Sequence, residues 1–291
     1  MEKNLTTGSV FKNLVVFSLP YLLSFCLQTL YGMADLFIIG QYEGVAATTA
    51  VSVGSQVMHM LTVMIVGLAM GATVMIGQAV GAQNRARANR YIGNAVTLFA
   101  GTAAVLTLTM LSLSGAVVRL MSTPAAAQAG TEAYLRICFA GLPFIIAYNV
   151  ISAIFRGMGD SKSPMYFIAA ACVANIGLDI LFMGPLALGP AGAALGTTLS
   201  QAFSVVLSLI VVVRRRMLPD LSAAHLRPQR EILGDMVKIG VPVALQDGFI
   251  QVSFLAITVF ANLRGLNDAA AVGIVEKIIG IMFLVPSTML S

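Results

Sequence analysis

Four carboxylic acids stand inside long apolar runs: Asp35, Asp179, Asp247 and Glu276. An ionised side chain at the middle of a bilayer costs roughly 2.5–3.5 kcal/mol on insertion scales, so an acid at such a place marks a functional site by default. A carboxyl held there can exchange a proton, or its oxygens can ligate a hard cation such as Na⁺. Asp35 shares a helical face with Tyr31 and Gln28, four and seven residues earlier. Asp179 shares one with Asn175, one turn before it. A polar neighbour beside each acid suits a water-filled cavity, although each acid could equally satisfy a nearby backbone or hydroxyl donor. Asp247 follows Gln246 and comes a few residues after Pro242, whose ring frees a backbone carbonyl for polar neighbours to satisfy. A structural role is as open for it as a functional one. Glu276 precedes Lys277, but adjacent helical residues do not face each other, so each needs a partner elsewhere.

Other chemistry is missing. No nucleophile–base constellation, phosphate loop or metal-ligand spacing occurs, and no strand precedes Gly189, Gly192 and Gly196, so these are not a nucleotide loop. The chain is expected to be no enzyme and to need no cofactor beyond a coupling ion, H⁺ or Na⁺. Cys26, Cys138 and Cys172 lie within apolar runs without pairing pattern and are expected as free thiols. Glu132 and Arg136 are spaced for a local ion pair, and His59 is expected as a hydrogen-bonded packing residue. Gly67 with Gly71, and Gly77 with Gly81, have small-xxx-small spacing for close helix contact. The methionines around Met64 are expected in packing.

These acids need elements that carry them into a membrane. Of 291 residues, 58% are apolar and 10% charged, against roughly 25% charged in soluble domains. Apolar runs long enough to span recur throughout. The expected helices cover 13–39, 46–79, 92–115, 127–154, 163–184, 191–213, 234–261 and 269–290. The reading is an all-α integral membrane protein, a polytopic bundle of about eight transmembrane helices. The first run has no small-residue cleavage site and reads as a retained span. Twelve of the 17 Lys and Arg fall on one side if the N-terminus is cytoplasmic; Arg119 and Arg264 fall on the other, and Arg136, Lys238 and Lys277 within spans. The bias places the N-terminus inside a plasma (inner) membrane. Asp35 and Asp179 then end outward-running helices and share one depth. No basic stripe with interleaved aromatics occurs, so nucleic acid is not an expected partner.

Arg214 to Glu231 is the longest polar stretch, and the segment after it resembles the chain's start. Leu14–Pro20 aligns with Met236–Pro242 at an offset of 222, and Ala50–Val53 with Ala271–Ile274 at 221. Internal repeats are a signature of secondary transporters, and six helices between copies make this repeat parallel. The expected organisation is a six-helix lobe over 1–213, a cytoplasmic linker over 214–231, and the first two helices of a second lobe over 232–291. Ser291 then aligns with Met70, inside a span, so the chain reads as a truncated frame or fragment lacking four helices.

Three segments carry a family resemblance: Tyr31-Gly-Met-Ala-Asp35-Leu-Phe-Ile-Ile-Gly40, Phe155-Arg-Gly-Met-Gly-Asp160-Ser-Lys-Ser-Pro164, and Asn175-Ile-Gly-Leu-Asp179 running on to Gly192-Ala-Ala-Leu-Gly-Thr197-Thr-Leu-Ser-Gln201. Across its whole length the chain resembles the MATE (multidrug and toxic compound extrusion) family. The resemblance implies a two-lobe exporter of about twelve helices that exchanges H⁺ or Na⁺ for cationic amphipathic compounds by alternating access. It assigns the coupling-ion site to Asp35, Asn175, Asp179 and Thr197. Some sodium-coupled members carry a Glu deeper in the seventh helix, where this chain reads Gly248-Phe-Ile-Gln251, which favours H⁺.

The expected function is a drug/cation antiporter with small cationic substrates. Its alternatives are a flippase for a lipid-linked glycan, disfavoured by chiefly acidic interior charges, and a non-transporting scaffold or truncated product. Oligomeric state is open.

Overall fold

A segment in hydrocarbon must satisfy its backbone polar groups internally, and each apolar run of this sequence does so as a helix. The computed structural model describes residues 10–264 except 122, 216 and 218–221, together with residue 282. Its helices are α1 (Val10–Tyr42), α2 (Val45–Gly81), α3 (Arg85–Leu120), α4 (Ala125–Ala140), α5 (Leu142–Gly157), α6 (Lys162–Met183), α7 (Gly189–Arg214) and α8 (Arg230–Arg264). A 3-10 turn, Ala223–Leu226, precedes α8. α1, α2, α3, α6 and α7 are each long and apolar enough to cross a membrane, and α4 with α5 passes the same test as a bent pair. The protein is a polytopic helical membrane protein. The helix expected over 269–290, with Glu276, lies outside the described residues.

Two elements differ from expectation. The span expected to run unbroken over 127–154 is two helices bent by 47°. Pro143 sits at the second helix's first turn, where its ring cannot follow a preceding helical turn. Gly141 occupies the corner because a methyl there would lie 2.6 Å from Thr198 Cγ2 of α7. α3 is also longer than 92–115, because Asn84 caps it, its Oδ1 accepting the Arg87 N–H at 3.0 Å. Arg85, Arg87 and Arg90 are therefore helical and not loop residues.

α2 is the hub, packing against α8 most extensively and then against α5, α4 and α3. Of the two small-residue pairs, only Gly67 and Gly71 make a close crossing, meeting α8 at Ala244, Gly240 and Met236. Gly77 is in ordinary contact with Gly157, and Gly81 faces open space. Met64 packs over Gly248. Glu132 and Arg136 pair at 2.7 Å, and the three cysteines are free. His59, expected in packing, is exposed on α2.

The end of the bundle bearing most Lys and Arg is tied by side chains. Asp160 accepts from the Lys162 and Ser163 amides at 3.1 and 3.0 Å and from Arg215 at 3.2 Å. Residues 222–229 lie along α3. There the Asn94 amide donates to His225 O at 3.3 Å and accepts from Gln229 N at 2.7 Å, and the Tyr91 hydroxyl donates to Asp235 at 2.9 Å.

Candidate functional site

Far from that basic end, α1, α6 and α7 bring the sequence-predicted polar residues together. α6 packs against both α1 and α7, and α6 and α7 approach closely through glycine. Gly192 allows contact with Phe182, and Gly196 allows contact with Asp179; a methyl at 196 would overlap Asp179 Oδ1. Asp179 is thereby turned inward beside Asp35, with Asn175 adjacent. The exposures are 3% for Asp35, 1% for Asn175 and 0% for Asp179. Thr197 donates its hydroxyl to Asp35 Oδ2 at 3.2 Å. The remaining oxygens (Asp35 Oδ1 and both of Asp179) and both amide atoms of Asn175 are buried without hydrogen-bond partners among the described residues.

Two buried carboxyls side by side repel unless something positive lies between them. Their site is rich in oxygen: two carboxyls, an amide and a hydroxyl. Such a set can hold a shared proton, or a hard cation that prefers oxygen ligands.

The other expected residues fall at different distances from this pair. Tyr31 is next to Asp35, within reach of Gln201. Gln28 is half-buried two turns from Asp35 on α1. Asp247 is not brought to the pair, because α8 packs on α2 and α3 and touches none of α1, α6 or α7 among the described residues. Glu276 lies outside the described residues.

Three residues of the site were not assigned a role from sequence. Gln201 is one turn past Thr197 on α7 and has a buried, unpartnered Oε1; that i+4 spacing was its available signal. Gly196 was read from sequence only as one of three glycines that form no nucleotide loop. Tyr134 of α4 enters from the far side near Asp35, its hydroxyl 3.1 Å from Ser55 Oγ and its ring against Gly54. With its partner 79 residues away in sequence, it had no local signal.

The chain is similar to known membrane transporters over most of its length. The MatE family model matches residues 20–181, which include Asp35, Asn175 and Asp179. The chain is 32% identical over 279 residues to the probable multidrug resistance protein YpnP of Bacillus subtilis, covering 96% of this chain and 62% of that protein. It is 24% identical over 272 residues to the multidrug export protein MepA of Staphylococcus aureus, covering 93% of this chain and 60% of MepA. A crystal structure of MATE in the bent conformation superposes with a TM-score of 0.90 at 26% identity, over 97% of this chain and 63% of that one. The chain thus spans less than two thirds of the length of the relatives it matches. By the match across more than half its residues, and by a fold that agrees with it, the chain belongs to the MATE family of membrane transporters.

Proposed function

We propose that this chain supplies the ion-coupling half of a secondary active exporter. The protein moves cationic, amphipathic compounds out of the cell in exchange for H⁺ by alternating access, with its N-terminus in the cytoplasm. The observation that carries the reading is the buried pair Asp35 and Asp179, whose oxygens are largely unpartnered among the described residues. A site built this way gains from protonation or cation binding and loses when emptied, so occupancy can bias two states of the helices around it. Asn175 and Thr197 position the acids and supply further oxygens. The names of YpnP and MepA, as multidrug resistance and export proteins, support a drug-like substrate. The acidic interior supports one that is cationic.

The coupling ion is read by separating gradients. Everted vesicles given only a pH gradient are expected to take up an ethidium-like cation, whereas a Na⁺ gradient at equal pH drives no uptake. Uptake on Na⁺ alone transfers the coupling to Na⁺, and uptake on neither gradient sinks the proposal.

Gly196→Ala is expected to lower that uptake by at least about tenfold without removing the protein from the membrane. The added methyl displaces Asp179 from Asp35, and displacements of about 1 Å in a preorganised site can cost about 100-fold. Uptake unchanged in this variant, at equal protein in the membrane, would show that the acid pair tolerates separation.

A further inference from the structure

The end of the bundle opposite the basic one carries a further acid, outside the buried pair. α1 ends at Tyr42 and α2 begins at Val45, and at this corner lies a cavity of about 460 Å³. Gly40, Glu43, Thr48, Thr49, Ser52 and Val53 are among the residues that line it. Glu43 is half-buried, and its carboxyl makes no ion pair or hydrogen bond among the described residues. The corner is held in place by the turn between α6 and α7. A methyl on Gly184 would lie 3.2 Å from Tyr42 Cζ, and one on Gly189 would lie 3.4 Å from Glu43 Oε1.

The cavity has a definite place on α2. A helix of 3.6 residues per turn repeats its face after five turns, or 18 residues. Thr49 precedes Gly67 by 18 residues, and Val53 precedes Gly71 by the same 18. The cavity wall and the crossing with α8 therefore share one face of α2. At the crossing the two helices touch, from Met236 beside Gly71 to Gly248 beside Met64. Five turns further along that face, no residue of α8 lines the cavity. The face is covered toward the basic end and open toward Glu43. On α1, Tyr42 lies seven residues past Asp35, about 10 Å at 1.5 Å per residue, so Glu43 is the next acid beyond the pair in that direction.

We propose that this cavity is an exit subsite, where Glu43 and the hydroxyls of Thr48, Thr49 and Ser52 hold an organic cation between the interior acids and the outside. The Thr48 and Thr49 hydroxyls donate to Gly44 O at 3.3 Å and Val45 O at 2.8 Å, which leaves their oxygens as acceptors. Val45 and Val53, also in the lining, offer carbon to the apolar body of the ligand. The volume suits a small molecule, whose sites span about 300–1,000 Å³. One carboxyl with three hydroxyls supplies too few oxygens for a hard metal cation, which takes about six or more. Water and salt screen a half-buried acid, so binding is weak, as a place of release requires. The subsite rests on the reading of the protein as an exporter of cations with its N-terminus in the cytoplasm, which puts this corner on the outer face.

The test is photolabelling of the detergent-purified protein with ethidium monoazide, a photoreactive organic cation, with the adducts mapped by mass spectrometry. Wild type is expected to carry adducts within residues 40–53 as well as elsewhere. Glu43→Gln is expected to lower those within 40–53 several-fold and to keep the others, which also shows that the variant is folded. Glu43→Asp, which keeps the charge, is expected to label like wild type. Adducts elsewhere with none in 40–53 overturn the subsite, as does equal labelling of that segment in Glu43→Gln. So does a loss of adducts over the whole of Glu43→Gln, because the effect would not be local. A wild type that takes no adduct anywhere overturns the cationic-substrate reading itself, and the subsite with it; the two failures are therefore distinguishable.

Discussion

Cells expressing Asp35→Asn are expected to accumulate an ethidium-like cation as fully as cells with no transporter, with wild-type amounts of protein in the membrane. Asparagine keeps the size and shape of the residue, and its Oδ1 can still accept the Thr197 hydroxyl, which bonds Asp35 Oδ2 at 3.2 Å. What it cannot do is change charge. With the amide at position 35 the site holds one carboxyl instead of two, and the repulsion that makes its emptying consequential is gone. A ligand shifts a two-state equilibrium only by its differential affinity for the two states, so removing the titrating group removes the drive and not merely a contact. Active efflux, tracked as loss of ethidium fluorescence after energising the cells, should fall to background. Efflux at the wild-type rate would remove Asp35 from coupling. Efflux lost together with the protein would show instead that the residue is needed to fold.

The largest effect on stability is expected at the crossing of α2 and α8. A methyl on Gly71 would overlap the Met236 carbonyl oxygen and lie 2.9 Å from Gly240 N. One on Gly67 would lie 2.7 Å from Ala244 Cα, and one on Gly240 would lie 3.1 Å from Leu68 Cα. All these neighbours are backbone atoms, which cannot rotate away as a side chain would. The two helices would have to separate along two turns. Without a hydrophobic drive between helices inside a bilayer, close van der Waals packing is what holds them. Overpacking of this kind costs roughly 1–3 kcal/mol. Gly71→Ala is therefore expected to lower the melting temperature of the detergent-purified protein by several degrees, and Gly81→Ala, which points into open space, to leave it unchanged. Equal melting temperatures for Gly71→Ala and wild type would mean that α2 and α8 are not locked together there.

Much of this protein was legible in its sequence because a bilayer is a demanding solvent. Apolar runs of spanning length leave the backbone no choice but helix, so the spans could be placed from hydropathy. The cost of burying charge made Asp35 and Asp179 conspicuous, and their i±4 neighbours Tyr31 and Asn175 came from helical period alone. The pair Glu132 and Arg136 was local in the same way. Less visible was the break at Gly141. Its apolar run is continuous, and only Pro143 together with the nearby Thr198 side chain explains the corner. His59 and Gly81 show the converse: a residue type or spacing suited to contact stays exposed unless a neighbouring helix presents a matching surface.

The sequence by itself determined that this chain is a bundle of membrane helices, which of them carry acids, and at what depth along each helix those acids lie. These are properties of one helix at a time, set by hydropathy and by a 3.6-residue period. Only the tertiary structure decided that Asp35 and Asp179 lie side by side, that Thr197 bonds one of them from 162 residues away, and that Asp247 stands apart from both. Which faces of separate helices meet depends on where glycines such as Gly71 and Gly196 let backbones approach. No local pattern encodes that, because the partner surface is supplied by residues distant in the chain.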